Sequence, residues 1–176
     1  ENTSEWDKSN ALRCKWTWED FLLNTDFITY KFKLKGDLAE VLKTEVLKKC
    51  KFNEEIIEKF CAESLMWNRV ANLGYNLLFI DKLIYIAEYL EGGLSANSIK
   101  NRRNSSNFTT LLYKELAESN KLTFFQKIRT YINYWRFSFF NKKTVLQNFR
   151  FINFNFFGII ALPFGFMMKI KDDLIK

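Results

Sequence analysis

The residues best placed to do chemistry lie in Glu63-Ser-Leu-Met-Trp67-Asn68-Arg69, where an acid and a guanidinium stand near the two ends of one amphipathic run. A carboxylate at the start of a helix is held ionised by the local dipole and the free amides. As a general base it can take the proton of a hydroxyl within hydrogen-bond reach. The ordinary alternative is a capping acid on a helix whose Trp67 packs into the core. A second candidate runs from Gly92 to Arg103, where flexible glycine backbone, Ser95 and the cations Lys100, Arg102 and Arg103 together suit a diphosphate. It lacks the Gly-Lys-Ser ending of a P-loop, and a solvated basic loop is the simpler account. Gly36-Asp37 is weaker, since a turn explains it. Cys14, Cys50 and Cys61 are widely spaced, with no CxxC and no histidine anywhere in the chain, so neither a disulfide framework nor a zinc site is supported and a reducing compartment fits best.

These residues need elements to hold them. Thr17-Trp-Glu-Asp20 is a capping-box variant that predicts a short helix, and Asp26 to Lys35 nearly alternates, as a half-buried strand does. Leu38 to Leu47 reads as a strand around Glu40 to Lys43 followed by a helical turn. Apolar spacings of three and four predict a helix over Glu58 to Leu73, stopped at Gly74. Leu77 to Tyr89 holds two short apolar runs split by Asp81-Lys82, as in two strands or one bent strand. After the glycine loop, Phe108, Leu111, Leu112 and Leu116 share one helical face, and Phe124, Phe125, Ile128, Ile132, Trp135 and Phe139 share a second. Phe151 to Met168 is strongly apolar, yet Asn153, Asn155, Gly158, Pro163 and Gly165 favour a buried or interfacial segment over a membrane span.

With 176 residues the chain has room for one domain with a core, and its apolar and charged fractions are those of a globular protein, which excludes disorder as the default. It opens on ENTSEWDKSN without a methionine and so reads as part of something longer. The net charge of +7 suits nucleic acid, a membrane surface or a phosphorylated ligand. Heavy use of Phe, Asn, Lys and Ile, with one proline, fits codon bias toward AT-rich DNA.

Four segments taken in order carry a resemblance: KGDLAEVLKTEVLKK, EKFCAESLMWNRVA, IYIAEYLEGGLSANSIKNR and KIRTYINYWRFSFFN. Their succession, over roughly Lys31 to Asn141, resembles the second half of bacterial family 2 glycosyltransferases of the GT-A fold. The resemblance implies an α/β class, the C-terminal portion of a GT-A domain, with an acceptor-side part over residues 1–107 and a helical, aromatic-rich extension over 108–176. It implies inverting transfer of a sugar from a nucleotide-sugar donor to a glycan or lipid-linked acceptor, in surface polysaccharide synthesis. Glu63 would be the base, although Ala62 stands where the family usually has a second acid. Asp37, Trp67, Asn68 and Arg69 would bind substrate on the acceptor side, while Ser95, Lys100, Arg102 and Arg103 would close over the diphosphate.

The Asp-x-Asp motif that holds a divalent cation, magnesium or manganese, belongs to the N-terminal half and does not occur here, so this portion alone is expected to lack turnover. The implied location is the cytoplasm, with peripheral contact on the inner face of the plasma membrane through the basic, Phe-rich C-terminal segment. The same segment would equally suit packing onto a missing domain. The alternative function is a non-catalytic basic module on a membrane surface or on nucleic acid. Nucleic acid is not expected, because no helix-turn-helix, zinc or RNP-like pattern is present.

Overall fold

A computed structural model describes residues 11–13, 41–75, 78–80, 91, 93–94, 96–120 and 122–174. The helix expected from Thr17, the extended stretch from Asp26, the Gly36-Asp37 break and the chain from Asp81 to Tyr89 lie outside the described residues. Within them the elements are β1 (Ala11–Arg13), α1 (Thr44–Lys49), α2 (Ser64–Asn72), β2 (Leu78–Ile80), α3 (Ser98–Asn104), α4 (Ser106–Ala117), α5 (Phe124–Ser138), α6 (Val145–Phe151) and α7 (Phe156–Leu174). The two strands pair antiparallel, with Leu12 opposite Phe79.

Local chemistry sets the helix ends. Thr123 and Gln126 form a reciprocal capping box at the start of α5, and Thr144 and Gln147 form another at the start of α6. Gly74, at φ +81°, ends α2 in the left-handed conformation that glycine adopts without strain. Between α6 and α7 the chain reverses through Asn153 and Phe154, at φ 54° and 49°. The left-handed Phe154 is offset by its ring, which stacks on Phe149 at 6.1 Å.

Helices pack on helices through three small apolar clusters. Val46 and Cys50 meet Trp67, Val70 and Ala71 between α1 and α2. Ala62 and Leu65 meet Phe108 and Leu112 between α2 and α4. The largest cluster gathers Ala117 of α4, Tyr131, Tyr134 and Trp135 of α5, Ile152, and Ala161 of α7. Contacts between α2 and α4 thus run across the expected boundary at residue 107. The α/β GT-A class is overturned by this arrangement. A GT-A domain rests on a broad sheet, whereas the strands among the described residues form one pair of three residues each, and the cores lie between helices. The strand expected around Glu40 to Lys43 is likewise corrected: residues 41–43 have no regular structure and a helix begins at Thr44, where Val46 turns inward onto α2. The long helix expected from Glu58 starts only at Ser64, because Glu58 is drawn away to cap α4. Its carboxylate accepts the Asn107 and Phe108 backbone amides at 3.0 and 2.9 Å.

The closest packing is between α5 and α7. Phe124 meets Phe157, Trp135 meets Gly165 and Arg136 meets Asp172, so the two helices run in parallel and α6 returns between their ends. Trp135 and Tyr134 are fully buried. The Trp135 indole N–H donates to the Gly158 carbonyl at 2.7 Å, and the Tyr134 hydroxyl donates to the Asn148 carbonyl at 2.8 Å. Burial pushes the Tyr134 pKa up, which keeps that donor protonated. At the C-terminal end Arg136 grips Asp172 bidentately, with both contacts at 2.5 Å. Asp173 pairs with Lys169 and Arg103, and the hydrogen bond from Lys169 leads in holding its carboxyl below the usual value. The stabilisation from that pairing is complete above the unfolded carboxylate pKa, and it is lost as pH falls through the lower folded value.

At Gly165 a Cβ would overlap the Trp135 Cβ and press on the Ile132 carbonyl oxygen at 2.9 Å, and a Cβ at Gly158 would overlap Ile152. Gly165→Ala is therefore expected to lower unfolding free energy by about 1–3 kcal/mol in urea titration. An unchanged midpoint would contradict the close approach of α7 to α5.

Candidate functional site

The residues singled out at α2 are joined on one helix, but Trp67, Asn68 and Arg69 face its packing partners. Glu63 sits at the N-cap position in helical conformation, exposed, and makes no capping hydrogen bond through its side chain. Trp67 is buried in the cluster with Val46 and Cys50. Asn68 is fully buried, and neither polar atom of its carboxamide has a hydrogen-bond partner among the described residues.

Arg69 is a structural clamp. Its Nε and Nη2 donate to the two Glu115 carboxylate oxygens at 2.8 and 2.6 Å, Nη2 also donates to Asn53 Oδ1 at 2.7 Å, and Nη1 donates to the Lys51 carbonyl. The hydrogen bond to Glu115 is the main cause that raises its pKa. All three guanidinium nitrogens thus hold α2, α4 and the 51–53 stretch together, so a substrate would have to displace fold contacts to reach them.

The expected basic loop is a helix from Ser98, and its cations diverge. Lys100 is exposed, while Arg102 is half-buried and its carbonyl accepts from Thr109 Oγ1 at 3.0 Å. Arg103 reaches α7, where it donates to Asp173 at 2.6 Å and to the Asp172 carbonyl at 3.2 Å, with its guanidinium 4.3 Å from the Phe140 ring centroid. Asp37 and Ser95 lie outside the described residues.

Other chemistry is sparse. Burial pushes the Cys50 thiol up and the Cys61 thiol up to about 11, so both are protonated near neutrality and neither offers a thiolate nucleophile. No group of three His, Cys, Asp or Glu that could hold a metal ion occurs among the described residues. A cleft of about 360 Å³ lies among the 53–58 stretch, α4 and α6, but Glu58 in its wall is committed to capping α4.

The conspicuous surface is the outward side of α7. Gly158, Ala161 and Gly165 turn inward, Phe157 and Leu162 flank them in the packing, and most of the other bulky residues turn away. Phe156, Ile159, Ile160, Phe164, Met167, Ile170 and Leu174 share one side at helical spacing, and all are exposed, Phe164 by 51% and Met167 by 65%. Exposed Phe154 lies just before the helix, and exposed Phe124 and Phe125 lie at the start of α5, joined to it by the edge contact of Phe124 with Phe157. A contiguous apolar face of this extent marks a contact surface. From Ser119 to Lys171 the sequence has nine Lys and Arg and no Asp or Glu, so the surplus behind the net charge of +7 is concentrated in α5 to α7. Comparison with protein-family models, curated proteins and solved structures finds no match for this chain.

Removing the α2 clamp separates fold from site. Arg69→Ala leaves the half-buried Glu115 carboxylate unpaired and is expected to cost about 2–4 kcal/mol in chemical unfolding. Glu63→Gln, at an exposed position without a capping bond, is expected to stay within about 0.5 kcal/mol of wild type. Equal effects at the two positions would contradict the assignment of Arg69 as the clamp.

Proposed function

We propose that this chain is a helical module that docks on a bilayer surface through the outward face of α7. The observation that carries this reading is the seven large apolar side chains exposed along one side of a 19-residue helix whose opposite side is already packed on α5. An exposed helix face of this kind is stable only against an apolar phase. Its first thirteen residues, Phe156 to Met168, include no charged, hydroxyl or amide side chain, so the face has little with which to make directional contacts to a protein partner, and fluid hydrocarbon requires none. Exposed Arg150 precedes the helix and exposed Lys171 lies near its end, where side chains of this type reach headgroup phosphates while their stems stay in the apolar layer.

The helix lies in the interface rather than across it. At about 1.5 Å per residue its length is close to the thickness of the hydrocarbon core. Among the described residues, however, no helix is long and apolar enough to cross a membrane. Returning each half-exposed Phe, Ile or Met to hydrocarbon stabilises the bound state by on the order of 1 kcal/mol. No comparable observation supports sugar transfer, because Glu63 is a lone exposed acid, Arg69 is occupied by Glu115, and Arg103 is bound to the end of α7.

Flotation of the full chain with mixed phosphatidylcholine and phosphatidylglycerol vesicles tests the proposal. Wild type is expected to rise with the vesicles. The double substitution Phe164→Glu with Met167→Glu is expected to lower partitioning at least tenfold with an unchanged thermal midpoint, since both side chains are exposed. Wild type left in the buffer, or a double variant that floats equally well, would refute the reading.

A further inference from the structure

We infer that the surface selects anionic phospholipids, and that Lys142, Arg150 and Lys171 supply the selection; this rests on the docking reading above. Two cations of the α5 to α7 unit are already neutralised, Arg136 by Asp172 and Lys169 by Asp173. Lys142, Arg150 and Lys171 are exposed. Lys171 lies one turn beyond Met167, on the apolar face itself. Arg150 stands four residues before exposed Phe154, at the entrance to α7. Lys142 lies just past the end of α5, and because α5 and α7 run in parallel it shares the end of the unit that carries Lys171.

Cations therefore mark both ends of the apolar face, and the sequence from Ser119 to Lys171 holds no acid that could repel an anionic headgroup. Apolar contact alone does not distinguish a zwitterionic from an anionic bilayer. Lysine and arginine do, because each cation held near an anionic surface strengthens association by about fivefold, and three of them by roughly a hundredfold. The attraction is screened as ionic strength rises.

The test measures partition of the full chain on vesicles of phosphatidylcholine alone and of phosphatidylcholine with phosphatidylglycerol, at physiological and at molar ionic strength. Wild type is expected to bind the anionic vesicles much more tightly, with the difference collapsing in high salt. The triple variant Lys142→Gln, Arg150→Gln, Lys171→Gln is expected to lose roughly a hundredfold on anionic vesicles and to keep the wild-type level on phosphatidylcholine. Equal wild-type binding to both compositions, or a triple variant that keeps the anionic preference, would overturn the selection and leave the docking surface standing. Binding to neither composition would remove the docking reading, and this inference with it.

Discussion

The contact between Trp135 and Gly165 constrains the rest of the C-terminal unit. The α5 backbone at Ile132 and Arg136 and the Trp135 Cβ come so close to α7 that position 165 has no room for a side chain, and small residues recur one and two turns earlier, at Ala161 and Gly158. Small residues on α7 therefore form one stripe, Phe157 and Leu162 flank it in the packing, and most of its other large residues are left on the outside. The Trp135 hydrogen bond to the Gly158 carbonyl satisfies the one polar atom of the indole, and the Arg136–Asp172 pair fixes the far end. That ion pair is mostly buried, so its bidentate geometry is what offsets the desolvation of two charges.

From this unit the structure is handed back along the chain by fewer contacts. Ala117 joins α4 to the large cluster, Arg69 and Glu115 join α4 to α2, and Val46 and Cys50 join α1 to α2. Glu58 serves two elements at once, because the carboxylate that caps α4 also pulls its own segment out of helical conformation. An acid that local spacing places inside a helix is in this way recruited by a helix end some fifty residues on, through the unpaired amides that every helix start presents.

The sequence pattern makes α4, α5 and the Gly74 stop legible, because each depends on spacing or on a single residue's dihedral preference. Other features depend on partners far away in the chain. The partner of Arg69 is Glu115, and no local pattern links them, so the Arg69–Glu115 pair and the packing of Trp67 on Val46 and Cys50 are not legible in the Trp67-Asn68-Arg69 triplet itself. The apolar runs at Val41-Leu42 and Leu77 to Ile80 are too short for period to distinguish strand from helix, and the family resemblance of four longer segments implied a sheet that the helix-on-helix cores do not contain. Gly158, Pro163 and Gly165 read as signs of a buried or interfacial segment rather than a membrane span. In the fold Gly165 lets α7 approach Trp135, Gly158 makes room for Ile152, and Pro163 falls on the exposed side. The spacing of small residues at 158, 161 and 165 was the available signal for α7, and the absence of acid from Ser119 to Lys171 was the signal for its surface.

The measurement that bears most directly on α7 as a docking helix is quenching by a lipid-dissolved quencher of a fluorophore placed in turn at positions 160, 161, 164, 165, 167 and 171, with vesicles present. Labels at 160, 164, 167 and 171 should be quenched strongly, while those at 161 and 165, wherever the fold tolerates them, should be protected. Quenching that ignores this helical period, or that is no greater than in buffer, would contradict the placement of the outward face of α7 in the bilayer interface.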